Sequence, residues 1–83
     1  MPTVLRHGRC RVMIYTNDHG PPHVHVKASG GLVKITIPLG TFRPEVLEVY
    51  GMSQSDVRQM LHFVAEHAEL LMQRWRRIHE YVA

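Results

Sequence analysis

The sequence of 83 residues contains a single cysteine, Cys10, so it cannot form an internal disulfide. It has no Cys-x-x-Cys or Cys/His finger spacing, which argues against a disulfide scaffold or a zinc finger and is typical of a reducing compartment. No apolar run approaches the roughly 18–20 residues of a membrane-spanning helix. The N-terminal residues also lack the apolar segment of a signal peptide. We therefore expect a cytoplasmic protein with no membrane partner.

Internal repeats, low-complexity tracts and linkers are absent as well. A hydrophobic content of 45% is sufficient for one core, so we predict a single domain over residues 1–83. The net charge of +3 is unevenly placed. Up to Gly51 there are six Lys/Arg and three Asp/Glu, whereas from Met52 onward there are four of each. The basic N-terminal part favours an anionic partner.

The chain up to Tyr50 has the period-two alternation of β-strands, interrupted by turn residues. Ser29-Gly30-Gly31 lies between two alternating runs and predicts a hairpin, because primed turns require positive φ. The pattern predicts an antiparallel sheet of four or five strands within residues 3–50, with strands near 3–6, 9–15, 23–28, 32–37 and 45–50.

The C-terminal part has helical periodicity instead. Ser53 followed by Asp56 three residues later is close to a capping box and predicts a helix start. Apolar side chains then recur at spacings of three and four, which predicts one long amphipathic helix over about 53–82, packed on the sheet. The expected fold class is α+β. The members of the stripe are Val57, Leu61, Val64, Ala68, Leu71, Trp75, Ile78 and Val82.

The length of this helix raises the question of what covers its far half. Thirty residues of helix span about 45 Å, whereas a six-residue strand spans about 20 Å. Either the helix breaks and folds back, or its far half is buried against another chain. We favour an interface with a second copy or with a small cognate protein, formed by Leu71, Trp75, Ile78 and Val82.

Strand alternation predicts that the two faces of the sheet differ in chemistry. The apolar set that faces the helix is Cys10, Val12, Ile14, Val24, Val26, Val33, Ile35 and Ile37. The opposite face is polar, as is usual for a sheet with one face buried, but here it is also cationic and carries imidazoles. We predict that it binds RNA or another anionic partner through Arg9, Arg11, Lys27 and Lys34.

The segment from His19 to Val26 reads His-Gly-Pro-Pro-His-Val-His-Val and is the most informative stretch of the chain. Two prolines stiffen the backbone ahead of a strand. Side chains two apart share a face, so His23 and His25 should project together. Such a pair can perform acid–base chemistry, bind a metal, or form structural hydrogen bonds with nearby carbonyls.

Each interpretation makes a different use of the histidines. RNA supplies its own nucleophile, so a metal-independent endoribonuclease needs only an acid, a base and a phosphate clamp, with His19, His23 and His25 as the catalytic candidates. The metal alternative uses the same three histidines, or Asp18, as ligands to zinc or another transition metal. A non-catalytic binding module needs no cofactor, and Tyr15 is its candidate for stacking.

The same residues resemble a known family. The start Met-Pro-Thr-Val-Leu-Arg, the segment from Tyr15 to Val26 and the C-terminal pattern from Leu70 to Trp75 are similar to the bacterial domain of unknown function 4160. That family commonly carries glutamate before the first histidine, where this chain has Asp18. The resemblance implies a small bacterial protein often encoded beside another small protein, an arrangement suggestive of toxin–antitoxin pairs.

Overall fold

Five strands and two C-terminal helices make up the chain in the computed structural model, which describes residues 3–15, 20–28, 30–38, 40 and 43–80. The strands follow one another as neighbours in a single antiparallel sheet, so the predicted α+β class is confirmed. Neither helix in the described ranges is long and apolar enough to cross a membrane. The elements are β1 (Thr3–His7), β2 (Cys10–Met13), β3 (His23–Ala28), β4 (Gly31–Thr36), β5 (Val46–Tyr50), α1 (Gln54–Glu66) and α2 (Ala68–Glu80).

The hairpin predicted between β3 and β4 is present. Ala28 pairs with Gly31 at its end, and Gly30 has a φ of 81°, a left-handed value that glycine adopts without steric cost. A Cβ atom at Gly31 would lie 2.7 Å from the carbonyl oxygen of Gly51. Glycine at 31 therefore allows the start of β4 to approach the chain leaving β5.

The core lies between the helices and one face of the sheet, and it contains seven of the eight side chains that alternation assigned to it. Cys10, the eighth, is half-buried and packs against their edge. The helices contribute the remaining core side chains. Together the buried cluster consists of Val12, Ile14, Val24, Val26, Val33, Ile35, Ile37, Met60, Val64, Leu71, Met72 and Trp75.

The predicted helix start is confirmed at Ser53. Its backbone is extended, and its hydroxyl oxygen accepts a hydrogen bond from the backbone N–H of Asp56 at 3.1 Å. A serine cap of this kind contributes about 1 kcal/mol. The carboxylate of Asp56 also lies in the first turn, where the helix dipole favours negative charge.

The single long helix that the periodicity predicted is divided in two at His67. There the backbone leaves helical geometry, with φ −109° and ψ 20°. The backbone N–H and the ring Nδ1 of His67 both bind the carbonyl oxygen of Phe63, at 3.1 and 2.9 Å. A straight helix over residues 54–80 would measure about 40 Å, more than the 35 Å longest dimension of the molecule.

Apolar side chains that follow this break pack within the chain's own core. Leu71 is fully buried and Trp75 is 8% exposed within the chain's own core, while Ile78 is half-buried against it. Leu71 and Trp75 therefore pack within this chain, and an interface formed by Leu71, Trp75, Ile78 and Val82 stays a prediction. Val82 lies outside the described residues. The exposed large apolar side chains lie on β5 instead and are Val46, Leu47, Val49 and Tyr50.

We predict that Leu71→Ala lowers the free energy of unfolding by about 2–5 kcal/mol, because it leaves a cavity in a packed core. Chemical denaturation at low protein concentration measures this change. Leu47→Ala is the matched control, since its side chain is 46% exposed and should cost under about 0.5 kcal/mol. Equal stability of Leu71→Ala and the parent chain would contradict the packing of α2 described above.

Candidate nucleic-acid interface

The two histidines of β3 lie side by side, as the alternation predicted. Their side chains project from the face of the sheet opposite the core, because Val24 between them points into it. The ring centroids of His23 and His25 are 5.2 Å apart, with 50° between the ring planes. The pair is thus close enough for both rings to contact one small ligand.

The expectation that this pair stands on an open surface is corrected, since His23 is 6% and His25 is 9% exposed. Tyr15 covers His25 edge-on, with ring centroids 4.6 Å apart. Trp75 of α2 lies 5.4 Å from His23 on the other side. Both covering rings come from outside β3, so the period of that strand alone gives no indication of them.

Backbone contacts fix the position of His23. Its ring Nδ1 lies 2.9 Å from the carbonyl oxygen of Pro21. Because a carbonyl can only accept, Nδ1 carries the proton in this bond, and Nε2 holds the lone pair in the neutral ring. The N–H of Ile37 donates to the carbonyl oxygen of Pro22 at 2.9 Å, which ties the proline lead-in to the end of β4. The two prolines therefore position the histidine pair.

A continuous series of rings runs from the end of β2 to the end of α2. The ring of His79 stacks on Trp75 with centroids 3.9 Å apart, and its Nδ1 lies 2.8 Å from the carbonyl oxygen of Trp75. The Nε2 of His79 is buried, with no hydrogen-bond partner in the described part of the chain. The series is Tyr15, His25, His23, Trp75 and His79.

The metal alternative stays a prediction. His19 and Asp18 lie outside the described residues, so the proposed three-ligand set is described only at His23 and His25. Across residues 3–15, 20–28, 30–38, 40 and 43–80, no group of three His, Cys, Asp or Glu side chains is arranged to hold a metal ion.

The basic side chains form a row next to the histidines. Arg6 of β1 is paired with Arg11 of β2, which is paired with Lys27 of β3. Directly opposed residues of antiparallel strands share a face, so these three cations stand beside one another. Arg9, Arg11 and Lys27 line an open cleft of about 380 Å³ together with residues 28 and 30–32.

The charges in this row are not neutralised by the part of the chain that the structure describes. No described carboxylate lies within 4 Å of the charged groups of Arg6, Arg9, Arg11 or Lys27. Lys34, which alternation grouped with them, differs in this respect. It is paired in register with His25 and Glu48, and its Nζ lies 3.3 Å from the Glu48 carboxylate. The cationic row thus consists of Arg6, Arg11 and Lys27, and Arg9 lies beside it at the cleft.

Cys10 borders this region but is unsuited to nucleophilic chemistry. Burial raises the pKa of its thiol, and the negative charge of Asp56 raises it further. A raised pKa leaves less of the reactive thiolate near neutral pH.

Sequence reasoning missed two contributors to this face. Arg6 was assigned only to a β-prone segment, although its register opposite Arg11 could have been inferred from the turn at Gly8-Arg9. Tyr50 is 58% exposed and occupies the same register row as the cations, through the pairing of Lys27 with Leu32 and of Leu32 with Tyr50. That placement depends on the order of the strands, which local alternation does not specify.

These features define an α+β protein whose five-stranded sheet packs one apolar face on the helices, while its other face carries cations and a histidine pair shielded by Tyr15 and by Trp75 of α2. Residues 10–76 match the family described as "Domain of unknown function (DUF4160)", and the chain belongs to that family. The matched range includes β2 to β5, α1 and most of α2. Neither the curated proteins nor the solved structures yield a match.

We predict that Asp56→Asn increases the rate at which iodoacetamide alkylates Cys10, because it removes a charge that holds the thiol pKa up. The increase should be partial, since burial is the larger cause and remains. Glu66→Gln is the control, because it removes a carboxylate at the other end of α1. If Glu66→Gln also reacts faster, or if Asp56→Asn reacts at the parent rate, the charge of Asp56 does not raise the pKa of the Cys10 thiol.

Proposed function

We propose that this protein binds the phosphate backbone of RNA through the cationic row of its sheet. The observation that supports the proposal is the juxtaposition of Arg6, Arg11 and Lys27 at directly paired positions, with no described carboxylate close enough to neutralise them. Like charges at opposed positions of a sheet are destabilising. An anion bound between them would remove that repulsion.

The chemistry of the row matches a phosphodiester. Adjacent strands are about 4.8 Å apart, so the three side chains form a positive strip about 10 Å wide at the backbone. Arginine binds phosphate oxygens in a bidentate manner, whereas lysine acts as a point charge. Phosphate contacts of this type supply affinity without reading sequence. Binding should therefore weaken steeply with salt.

We predict that Lys27→Ala weakens binding to a fluorescein-labelled oligouridine in fluorescence anisotropy. Removing one phosphate contact should reduce the slope of log affinity against log salt by about 0.7. Lys34→Ala is the matched control, because it removes the same formal charge from the same face while Glu48 already neutralises Lys34.

Comparing Lys27→Ala with Lys34→Ala separates the effect of a local phosphate contact on RNA affinity from the effect of the net charge of the protein. A larger loss for Lys27→Ala than for Lys34→Ala supports the cationic row as the binding surface. Equal losses would mean that only the overall charge matters, and unchanged binding in both would contradict the proposal. Circular dichroism of each variant confirms that the fold is retained.

An RNA-cleaving toxin is a second candidate, and the spacing of the histidines favours it. His25 lies two residues from Lys27 along β3, a distance of about 7 Å. A phosphate held by the cationic row would thus have imidazoles nearby. The small exposed fractions of His23 and His25 rank this candidate below binding, since a substrate has to displace the covering rings.

The reaction needs no cofactor. One imidazole accepts the proton of the 2′-hydroxyl as its oxygen attacks phosphorus, and the other, protonated, donates to the departing 5′-oxygen. The P–O2′ bond forms as the P–O5′ bond breaks, leaving a 2′,3′-cyclic phosphate and a 5′-hydroxyl. Arg11 and Lys27 would stabilise the charge that develops on the phosphoryl oxygens.

We predict that His25→Ala abolishes cleavage of a labelled RNA and any growth inhibition on expression, if the pair is catalytic. His23→Ala should have the same effect, because each imidazole has its own role in the proton transfers. His62→Ala is the control, since His62 is exposed on α1. Activity retained in His23→Ala and His25→Ala would contradict catalysis and leave the binding proposal intact.

Association with a second copy or with a small cognate protein encoded nearby, as in a toxin–antitoxin pair, stays a prediction. Light scattering of the purified chain measures the first, and co-purification with the product of the adjacent gene measures the second.

A further inference from the structure

The row that carries the cations continues across the rest of the sheet with a different chemistry. Lys27 is paired with Leu32 of β4, and Leu32 is paired with Tyr50 of β5. One line across the five strands therefore reads Arg6, Arg11, Lys27, Leu32, Tyr50. Its first half is positively charged, and its second half is apolar and aromatic.

The side chain of Tyr50, at the β5 end of this line, is exposed to solvent. Its side chain is 58% exposed, the largest exposed fraction among the large apolar residues of the described chain. Its hydroxyl donates to Oε2 of Glu48 at 3.3 Å, and the same carboxylate oxygen lies 3.3 Å from Nζ of Lys34. These contacts restrain the ring on the outer face and offset the negative charge beside it.

Tyr15, the stacking residue expected from sequence, is in a different situation. Its ring lies edge-on to His25 with centroids 4.6 Å apart, and its hydroxyl lies 3.7 Å from the sulfur of Met13. Tyr15 is thus engaged by the shielded histidine pair. Tyr50 is the aromatic side chain that shares a register row with the cations.

The geometry points to a single-stranded nucleic acid as the ligand, and this inference rests on the proposed function. We propose that the strand crosses the sheet with its phosphates on Arg11 and Lys27 and one base stacked on Tyr50, over Leu32. Two strand spacings, about 10 Å, separate the backbones of Lys27 and Tyr50. That separation suits a phosphate at one end and its own or the next base at the other.

A duplex does not fit this surface in the same way. Its bases are paired and stacked on each other, so only its backbone can reach the cations, and Tyr50 gains no partner. Unpaired bases expose their faces to aromatic side chains, and stacking of this kind tolerates any base. The proposal therefore predicts a preference for single strands that depends on one ring.

The test compares Tyr50→Ala with the parent chain in anisotropy titrations of a labelled oligouridine and of a labelled RNA duplex of equal length. Tyr50→Ala should weaken single-strand binding by about 5- to 150-fold and leave duplex binding unchanged. Tyr50→Phe, which keeps the ring, should restore most of the lost affinity. Leu47→Ala is the control on the same strand, since Leu47 is 46% exposed.

The outcomes separate this inference from the function on which it rests. If Lys27→Ala weakens binding but Tyr50→Ala has no effect and duplex binds as well as single strand, the inference is overturned while backbone binding stands. If Lys27→Ala also has no effect, both are overturned. An oligodeoxyuridine of equal length distinguishes RNA from DNA, because only RNA offers a 2′-hydroxyl to the row.

Discussion

The antiparallel register of the central strand β3 determines which side chains reach each face of the sheet. Val24 and Val26 are fully buried against the helices, and this sends His23, His25 and Lys27 to the other face. A slip of one residue would exchange the two sets and place imidazoles and an ammonium group in the core. Burial of the valines thus fixes the positions of the side chains on the outer face.

The outer face is consequently divided between two kinds of chemistry. Next to the hairpin ends, Lys27 is exposed and Arg11 is half-buried, and both line an open cleft. Two and four residues before Lys27 along β3, His25 and His23 are shielded by Tyr15 and Trp75. An anion can reach Arg11 and Lys27 without any rearrangement of the protein. A substrate of the histidine pair would have to displace the rings of Tyr15 and Trp75. The outer face is therefore better suited to binding an anion than to catalysis.

Local pattern predicted the sheet and its core, because alternation is a property of neighbouring residues. It did not predict the break at His67, which has no proline or glycine to mark it and depends on hydrogen bonds to one carbonyl. The neutralisation of Lys34 by Glu48 likewise depends on which strand lies beside β4 and on an irregularity in the pairing of β4 with β5. This neutralisation and the shielding of His23 by Trp75 depend on contacts between residues that are distant in sequence. The cationic character of the outer face could therefore be predicted from the sequence, whereas its division into cations at an open cleft and shielded histidines could not.

An NMR titration of ¹⁵N-labelled protein with a short oligouridine measures whether the outer face of the sheet binds nucleic acid. We expect chemical-shift changes at the amides of Arg11, Lys27 and Tyr50 that diminish as salt is added. Changes confined to the basic end of α2, around residues 74–77, or no changes at all, would contradict the assignment of the sheet as the nucleic-acid surface.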